Sequence, residues 1–170
     1  MAKIVSLSKL VFLLNRLGSR GKTIGLITGC FDIIHLGHID LFRFAKEHVD
    51  ILVVGVETDR TIKLSKGNER PIFSQNQRMQ VLAEQESINF VFPIRGGNDF
   101  ASNKVNLLYE EICKKLKPDA LITCVPADKS WKKKKERANK LNLRFIPLRQ
   151  EIPLVSTTQI IRIIKRRFGL

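Results

Sequence analysis

The chain has 170 residues, of which 44% are hydrophobic and 27% are charged, and its net charge is +14. This length suits one domain with a substantial core, so we predict a single domain over residues 1–170 with an N-terminal helix, within residues 1–22, packed on it. No apolar run approaches the ~20 residues of a membrane span, and the run Leu10 to Leu14 is too short for a signal peptide. The three cysteines lack the paired spacing of a zinc site, and a reducing, cytoplasmic setting is the simplest expectation.

The positive charge is concentrated in two segments, Lys129 to Lys140 and Arg162 to Arg167. Clustered lysine and arginine residues attract nucleic acid or anionic membranes. The same residues also suit the solvated faces of two helices, and the second segment would complement a helix C-terminus. We favour solvated faces, so we do not expect nucleic acid as a partner.

Apolar segments of strand length alternate with amphipathic segments of helix length along the chain. In chain order we predict a helix from Ser6 to Leu17, a strand from Ile24 to Ile27, a helix to about His48, a strand from Ile51 to Val56, a mobile loop from Glu57 to Ile72, a helix from Ser74 to Glu86, a strand from Phe90 to Phe92, a helix from Val105 to Leu116, a strand from Ala120 to Cys124, a basic helix opening at Asp128 to Trp131, a strand from Leu143 to Ile146, and a last helix from Ser156 that buries Ile160, Ile161 and Ile164. This alternation indicates an α/β fold in which a five-stranded parallel sheet is doubly wound through right-handed crossovers.

The segment Thr28 to His38 reads Thr-Gly-Cys-Phe-Asp-Ile-Ile-His-Leu-Gly-His and joins the first predicted strand to the helix after it. A strand, a glycine turn and a helix start direct backbone N–H groups and a helix dipole at an anion. His35 and His38 can share one face of this junction, and Gly37 leaves room for a ligand beside the backbone. The pattern therefore predicts an anion-binding site.

Gly-x-Phe-Asp followed by His-x-Gly-His resembles the signature of the cytidylyltransferase-like nucleotidyltransferases. The resemblance implies a Rossmann-like fold and a nucleoside triphosphate (NTP) substrate, with His35 and His38 binding the triphosphate and stabilising the transition state at its α-phosphorus. It also implies a catalytic role for Lys66, because a lysine before glycine closes over the triphosphate in that family. The other residues of the segment that we expect to bind the nucleotide are Thr28, Gly29, Cys30, Phe31, Asp32 and Gly37.

The expected chemistry calls for hydrogen-bond donors and cations. A phosphate monoester acceptor is already an anion near neutral pH, so the site must hold it in line with the α-phosphorus and neutralise developing charge while pyrophosphate leaves. Lys63 and Lys66 can reach the triphosphate from the predicted loop, although an ordinary solvated loop is the alternative. Ser156, Thr157 and Thr158 combine hydroxyls with free N–H groups at a helix start, which suits a second anion site or only an N-cap.

The sequence leaves alternative roles open for three charged residues, and it favours a structural role for one cysteine. Asp32 could orient ribose, a lysine or Mg²⁺, and Asp59 could bind the acceptor's hydroxyls or cap a helix. Arg78 could face phosphate or pair with a carboxylate. Cys30 is most simply a core residue, because no base lies beside it in the sequence.

Further segments resemble the adenylyltransferase domain of ADP-heptose synthase, a branch whose members join ATP to a heptose 1-phosphate with Mg²⁺. These segments are Lys3 to Leu7, Gly21 with Lys22, Lys66 with Gly67, Arg70 to Ile72, Arg78 with Met79, and Ser156 to Thr158 with Ile160 and Ile161. One segment departs from that branch, since Val-Pro-Ala-Asp at Val125 to Asp128 stands where the branch has Lys-Gly-Gly-Asp-Tyr. Asp128 with Trp131 is instead similar to glycerol-3-phosphate cytidylyltransferase. ATP and CTP therefore both stay open, with Asp128 expected at the nucleotide and Asp59, Arg78 and Trp131 at the acceptor.

Two functions of other classes also stay open. His-x-Gly-His and the segment Lys63 to Gly67 resemble the two signatures of class I aminoacyl-tRNA synthetases, although the chain is short for an added tRNA-binding domain. The second open function is that of a nucleotide-binding protein that does not turn over its ligand. The altered segment from Val125 to Asp128 motivates this alternative. Relatives are often dimers, so a homodimer is a further open alternative.

Overall fold

A computed structural model describes residues 2–18, 21–96, 98–149 and 156–169. The strands of these residues are β1 (Lys3–Ile4), β2 (Ile24–Gly29), β3 (Ile51–Val56), β4 (Phe90–Pro93), β5 (Ala120–Cys124) and β6 (Arg144–Leu148). The helices are α1 (Leu7–Gly18), α2 (Leu36–His48), α3 (Asp59–Lys66), α4 (Gln75–Ala83), α5 (Asn103–Leu116), α6 (Trp131–Lys140) and α7 (Thr157–Phe168). No helix among these residues is long and apolar enough to cross a membrane.

The strands form one parallel sheet in the order β1-β4-β3-β2-β5-β6. The predicted parallel α/β fold is confirmed, but the described sheet has six strands where we predicted five. The additional strand is β1, whose Lys3 and Ile4 pair with Phe90 and Val91. Both β1 side chains are exposed, so this two-residue strand has no apolar pattern by which the sequence could reveal it.

Two apolar clusters cover the two faces of the sheet. Along β3, Leu52 and Val54 belong to one cluster, whereas Ile51 and Val53 belong to the other, as the two-residue period of a strand requires. The first cluster includes side chains of α2 and α4, and the second includes side chains of α1, α5 and α6. The predicted doubly wound arrangement follows from this division.

The segment Glu57 to Ile72 is not the mobile loop that we predicted, because it contains α3. The Thr58 hydroxyl accepts a hydrogen bond from the Thr61 N–H at 3.0 Å and so caps the helix start. Thr61 and Ile62 are its buried residues, and Gly67 ends it with a φ of 95°. A helix with so few buried residues leaves only a weak helical period in the sequence.

The last helix buries less than its sequence predicts. Ile160 and Ile161 of α7 are half-buried, but Ile164 is 43% exposed, so the prediction that it is buried is wrong. The exposed fraction reaches 72% at Phe168. The helix packs on the protein mainly through its first turns, while its apolar stripe continues beyond that contact.

The strand order reverses at β2, which has β3 on one side and β5 on the other. β2 pairs with β3 along its whole length, from Ile24 to Gly29, but its ladder with β5 ends at Leu26 and Leu121. The two strands therefore separate toward their carboxyl ends. Open parallel sheets bind ligands in such a crevice, where the strand order reverses.

The packing around Gly55 of β3 yields a stability prediction. A Cβ at this position would lie 2.8 Å from the Phe92 ring and 3.1 Å from Ile94 Cδ1, both of them buried. We expect Gly55→Ala to lower the free energy of unfolding by about 1–3 kcal/mol, because neither neighbour can move freely. Urea unfolding measures this change. Adding Phe92→Leu should restore part of the loss, and a single variant as stable as the wild type would contradict the tight packing.

Candidate active site

The turn after β2 is built around a close contact between Gly29 and Phe31. Phe31 has a left-handed φ of 51°, and its ring lies so near Gly29 that a Cβ there would come within 2.9 Å of it. The buried Phe31 ring also meets the His38 ring edge-on, with centroids 5.3 Å apart. This contact explains why the Gly-x-Phe pattern precedes the histidines, since a side chain at Gly29 would displace the ring that supports His38.

Asp32 fixes the segment between α3 and α4 to this turn. Its carboxylate is 3% exposed and accepts hydrogen bonds from Arg70 Nε at 2.5 Å, the Ile72 N–H at 2.8 Å and the Phe73 N–H at 3.0 Å. We expected ribose, a lysine or Mg²⁺ as its partner, and the structure places Arg70 and two backbone groups there. Both carboxylate oxygens are thereby occupied.

His35 and His38 stack on each other at the start of α2, with ring centroids 3.8 Å apart and planes 27° apart. Burial lowers the pKa of His35, and burial together with the charges of His35 and Lys66 lowers the pKa of His38 to about 3. Both rings are therefore neutral at pH 7. Among the described residues, neither Nδ1 atom has a hydrogen-bond partner although both atoms are buried. His35 is the N-cap of α2 but its side chain makes no capping bond, so first-turn N–H groups stay available, with Gly37 between the histidines.

Lys66 brings positive charge to the histidine pair from the last residue of α3. Its charge lowers the pKa of His38. Burial raises the pKa of the Cys30 thiol, and the charge of Lys66 opposes this rise without cancelling it. Lys63 lies three residues earlier, on the same side of the helix. Both lysines are exposed, so their ammonium groups are accessible to a ligand.

Arg78 of α4 reaches the carboxyl ends of two strands. Its side chain is 1% exposed and donates to the carbonyls of Cys30, Glu57 at 2.6 Å and Phe73 at 3.0 Å, and to the Asp59 carboxylate at 2.7 Å. Of the two roles predicted for Arg78, the structure shows a carboxylate partner. The half-exposed Asp59 side chain is thereby fixed at the first residue of α3.

Asp128 joins the end of β5 to the end of β2. It accepts hydrogen bonds from the Thr123 hydroxyl at 2.6 Å, the Ser130 N–H at 2.8 Å and Lys134 Nζ at 2.8 Å. Burial alone would raise the pKa of Asp128, but Lys134 and these hydrogen bonds lower it overall. Lys134 also donates to the Thr28 carbonyl at 3.0 Å, and so brings Asp128 to the edge that carries the histidines.

The start of α7 lies beside the residues from Phe31 to His38, which form the histidine turn. The buried Thr157 donates its hydroxyl to the Ile33 carbonyl at 3.4 Å. Ser156 is the N-cap, and its hydroxyl accepts from the Gln159 N–H at 3.2 Å. The N-terminus of α7 and the Gly29 turn therefore share one edge of the sheet.

Several predicted site residues make no direct polar contact with the histidine turn. Among the described residues, no hydrogen bond or ion pair joins the side chains of Lys63, Lys66, Trp131 or Thr158 to it. Trp131 is half-buried at the start of α6, where Lys132 lies 5.8 Å above its ring. Thr158 is exposed one residue after Thr157.

The sequence reasoning missed Arg70 and Lys134. A buried carboxylate such as Asp32 requires a cation, which was the available signal for Arg70. Lys134 lies three residues before Arg137 and four before Ala138, the buried residues of α6. This helical spacing places Lys134 on the buried side of the helix, which was the available signal for it.

The basic segment is only partly solvated, in contrast to the solvated face that its sequence favours. Arg137 is 6% exposed and lies 4.8 Å above the Tyr109 ring. Tyr109 in turn donates its hydroxyl to Glu57, which is 2% exposed. Burial raises the pKa of Glu57 to about 7, although Tyr109 and the charges of Lys134 and Arg78 oppose this shift.

The described residues do not fit a magnesium site held by the protein alone. They include no group of three His, Cys, Asp or Glu side chains placed to hold a metal ion. The carboxylate in the histidine turn, Asp32, is already bonded through both oxygens.

The family model described as Cytidylyltransferase-like matches residues 26–163, which include the histidine turn, α3 and the start of α7. The chain belongs to the cytidylyltransferase-like family. The nucleotidyltransferase class that the motifs indicated is confirmed.

Two relatives of this cytidylyltransferase-like chain share the name bifunctional protein HldE. The protein of Campylobacter fetus subsp. fetus (strain 82-40) is 39% identical over 120 residues, which are 71% of this chain and 23% of the relative. The protein of a Nitratiruptor species is 39% identical over 106 residues, which are 62% of this chain and 21% of the relative. The matches thus span less than a quarter of the length of these relatives.

Two solved structures share the fold of this cytidylyltransferase-like chain. A lipopolysaccharide core biosynthesis protein from Thermoplasma volcanium GSS1 has a TM-score of 0.59 and 25% identity, covering 78% of this chain and all of that one. A pantoate-beta-alanine ligase from Francisella tularensis has a TM-score of 0.64 over 100% of this chain and 79% of that one, and at 16% identity it supports the fold alone. The predicted Rossmann-like fold is confirmed.

The contacts of Arg78 predict a large loss of stability when its guanidinium is removed. We expect Arg78→Met to lower the free energy of unfolding by about 3 kcal/mol or more, because a buried carbonyl group and a carboxylate lose their charged donor. Arg60→Met, at an exposed arginine of α3, is the matched control and should change it by less than about 0.5 kcal/mol. Chemical denaturation measures both variants. Equal effects would show that Arg78 does not hold these segments together.

The low pKa of His38 predicts a pH dependence of folding. The pKa of a histidine is 6.5 in its ordinary state and about 3 at His38, so acid in this range protonates the unfolded chain preferentially. The stabilisation by neutral His38 is present above pH 6.5 and is lost as the pH falls toward 3, by up to about 1.4 kcal/mol per pH unit. The free energy of unfolding is measured for the wild type and His38→Gln at pH 7 and pH 5. The difference between the two proteins isolates the contribution of His38, because the opposite contribution of Glu57 is common to both. A difference in stability that does not change with pH would contradict the assignment.

Proposed function

We propose that this protein transfers a nucleoside monophosphate from an NTP to a phosphorylated sugar or polyol and releases pyrophosphate. The observation that carries the proposal is the meeting of three anion-binding features at one edge of the sheet. These are the stacked pair His35 and His38 at the start of α2, the cation Lys66 at the end of α3, and the start of α7 at Thr157. One polyphosphate can contact all three.

The two helix starts would bind the phosphates. The N-termini of α2 and α7 each present backbone N–H groups and the positive end of a helix dipole. Lys66 adds a flexible cation that can follow the charge from the α-phosphate to the leaving pyrophosphate. We also assign nucleotide contacts to Thr28, Gly29 and Gly37.

His35 and His38 would act as hydrogen-bond donors at the reacting phosphorus. They are neutral in the free protein because burial and nearby positive charge disfavour the imidazolium. A bound polyphosphate reverses this balance, since its negative charge favours protonated rings. The donors are already oriented by stacking and by the Phe31 ring, so little reorganisation is needed when charge develops on the phosphoryl oxygens.

The reaction requires no general base in this proposal. An oxygen of the acceptor phosphate attacks the α-phosphorus, a new P–O bond forms, and the bond from the α-phosphorus to the bridging oxygen breaks. Pyrophosphate leaves with that electron pair. Mg²⁺ is proposed only as a companion of the NTP phosphates.

The acceptor that we propose first is a heptose 1-phosphate, with ATP as the NTP. The similarity to the HldE proteins and to a lipopolysaccharide core biosynthesis protein supports this choice. Asp59 is suited to the acceptor's hydroxyls, because Arg78 orients its half-exposed carboxylate. A cytidylyltransferase acting on glycerol 3-phosphate is the second candidate, favoured by the Asp128 and Trp131 segment, in which Asp128 is held by three donors.

Pyrophosphate release tests the activity. The purified chain is incubated with ATP or CTP and with heptose 1-phosphates, glycerol 3-phosphate or other phosphate monoesters. We expect release with one NTP and one class of acceptor. Tight NTP binding by calorimetry without release from any pair would instead indicate a binding protein, and a salt-sensitive tRNA gel shift would indicate an RNA-linked role.

Removing one histidine tests its assignment within the reaction. We expect His38→Ala to lower kcat by at least ~100-fold, the scale for loss of one preorganised donor, while the protein stays folded. His48→Ala is the matched control, because His48 is exposed at the other end of α2. A His38→Ala rate close to that of His48→Ala would show that the site is misassigned.

A further inference from the structure

Lys134 bridges two strands at the point where their ladder has opened. The last paired residues of β2 and β5 are Leu26 and Leu121, and beyond them the Thr28 carbonyl has no partner on β5. Lys134 Nζ lies 3.0 Å from that carbonyl and 2.8 Å from an Asp128 oxygen. The ammonium therefore crosses the crevice between the carboxyl ends of the two strands.

The position of Lys134 is held from several sides. Asp128, its direct partner, is itself fixed by Thr123 and Ser130. Glu57 is near enough for the Lys134 charge to lower its pKa, against the larger effect of burial. An ammonium bonded to a carboxylate and to a carbonyl is held in place, unlike the exposed Lys132 and Lys135 on the same helix.

One donor of Lys134 remains for a ligand. An ammonium group has three N–H donors, and Thr28 and Asp128 accept two of them. Lys134 also lines a cavity of about 10 Å³, together with Thr28, Tyr109 and Arg137 among others, and this cavity has room for a single water molecule. The Lys134 side chain is 14% exposed, so part of it can be reached by a ligand.

We propose that Lys134 is a specificity-determining residue that donates a hydrogen bond to the nucleoside part of the NTP. This inference rests on the proposed function. The helix starts of α2 and α7 take the phosphates, so the nucleoside extends away from them along the crevice toward β5, where Lys134 lies. Lysine is only a donor, and it therefore selects for acceptor atoms, such as ring nitrogens and carbonyl oxygens of a base or the hydroxyl oxygens of ribose.

The test compares Lys134→Met with Lys135→Met, since Lys135 is the exposed neighbour on α6 and its loss removes the same charge. KM and kcat are measured for ATP, CTP and their 2′-deoxy forms, together with the melting temperature. We expect Lys134→Met to raise the KM for the preferred NTP on the order of 10-fold with a smaller change in kcat, and Lys134→Arg to restore part of it. Lys135→Met should leave KM unchanged.

The pattern across nucleotides identifies the acceptor atom. A change in the ATP to CTP ratio of kcat/KM indicates a contact with the base, whereas loss of discrimination against 2′-deoxy forms indicates ribose. A lower melting temperature with unchanged KM for every NTP would show that Lys134 only joins the strands, and would overturn the inference while the proposed function stands. If the wild type shows no turnover, NTP binding by calorimetry replaces KM. Equal affinities of the wild type and Lys134→Met then overturn the inference, and a wild type that binds no NTP overturns both proposals.

Discussion

The buried guanidinium of Arg78 is the interaction on which the geometry of the candidate site depends. Parallel strands end with carbonyl groups that have no further ladder partner, and burying such groups without donors is costly. Arg78 supplies donors to Cys30 after β2, to Glu57 after β3 and to Phe73 before α4. Three segments that are distant in the chain are thereby held at one point, and the histidine turn begins directly after one of them.

The cations at this edge fall into two groups with different consequences. Arg70, Arg78 and Lys134 are partly or fully buried and are bonded to Asp32, Asp59 and Asp128 respectively, so their charge fixes the framework. Lys63 and Lys66 are exposed at the end of α3, and within the described residues they have no ion-pair partner. Positive charge is therefore available to a ligand from α3 while the histidines themselves are neutral. Such a site attracts an anion without burying several uncompensated charges in the free protein.

The sequence predicts the parts of this molecule that depend on strong apolar runs. β2, β3 and β5 are buried on both faces, and their runs in the sequence lie within a residue or two of the observed strands. β1 has two exposed side chains and α3 has two buried ones, so neither produces a clear period. The Thr28 to His38 motif predicts the candidate site, because glycine, aromatic and histidine residues at that spacing are typical of a phosphate-binding turn. The sequence gives only weak signals for the partners of Asp32 and Asp128, since other basic residues lie near Arg70 and Lys134 in the chain and only the folded packing selects between them.

The attachment of α7 shows how the start of this helix is coupled to the histidine turn. Hydrophobic burial holds this helix weakly, because Ile163 and Ile164 remain largely exposed. An ion pair of Lys165 with Glu69 at 3.0 Å joins α7 to the segment after α3, but it is exposed and so contributes little. The buried Thr157 and its bond to Ile33 link the start of α7 to the body of the protein, beside the half-buried Ile160 and Ile161. Because Ile33 belongs to the histidine turn, a displacement of that turn would change the position of the α7 start as well.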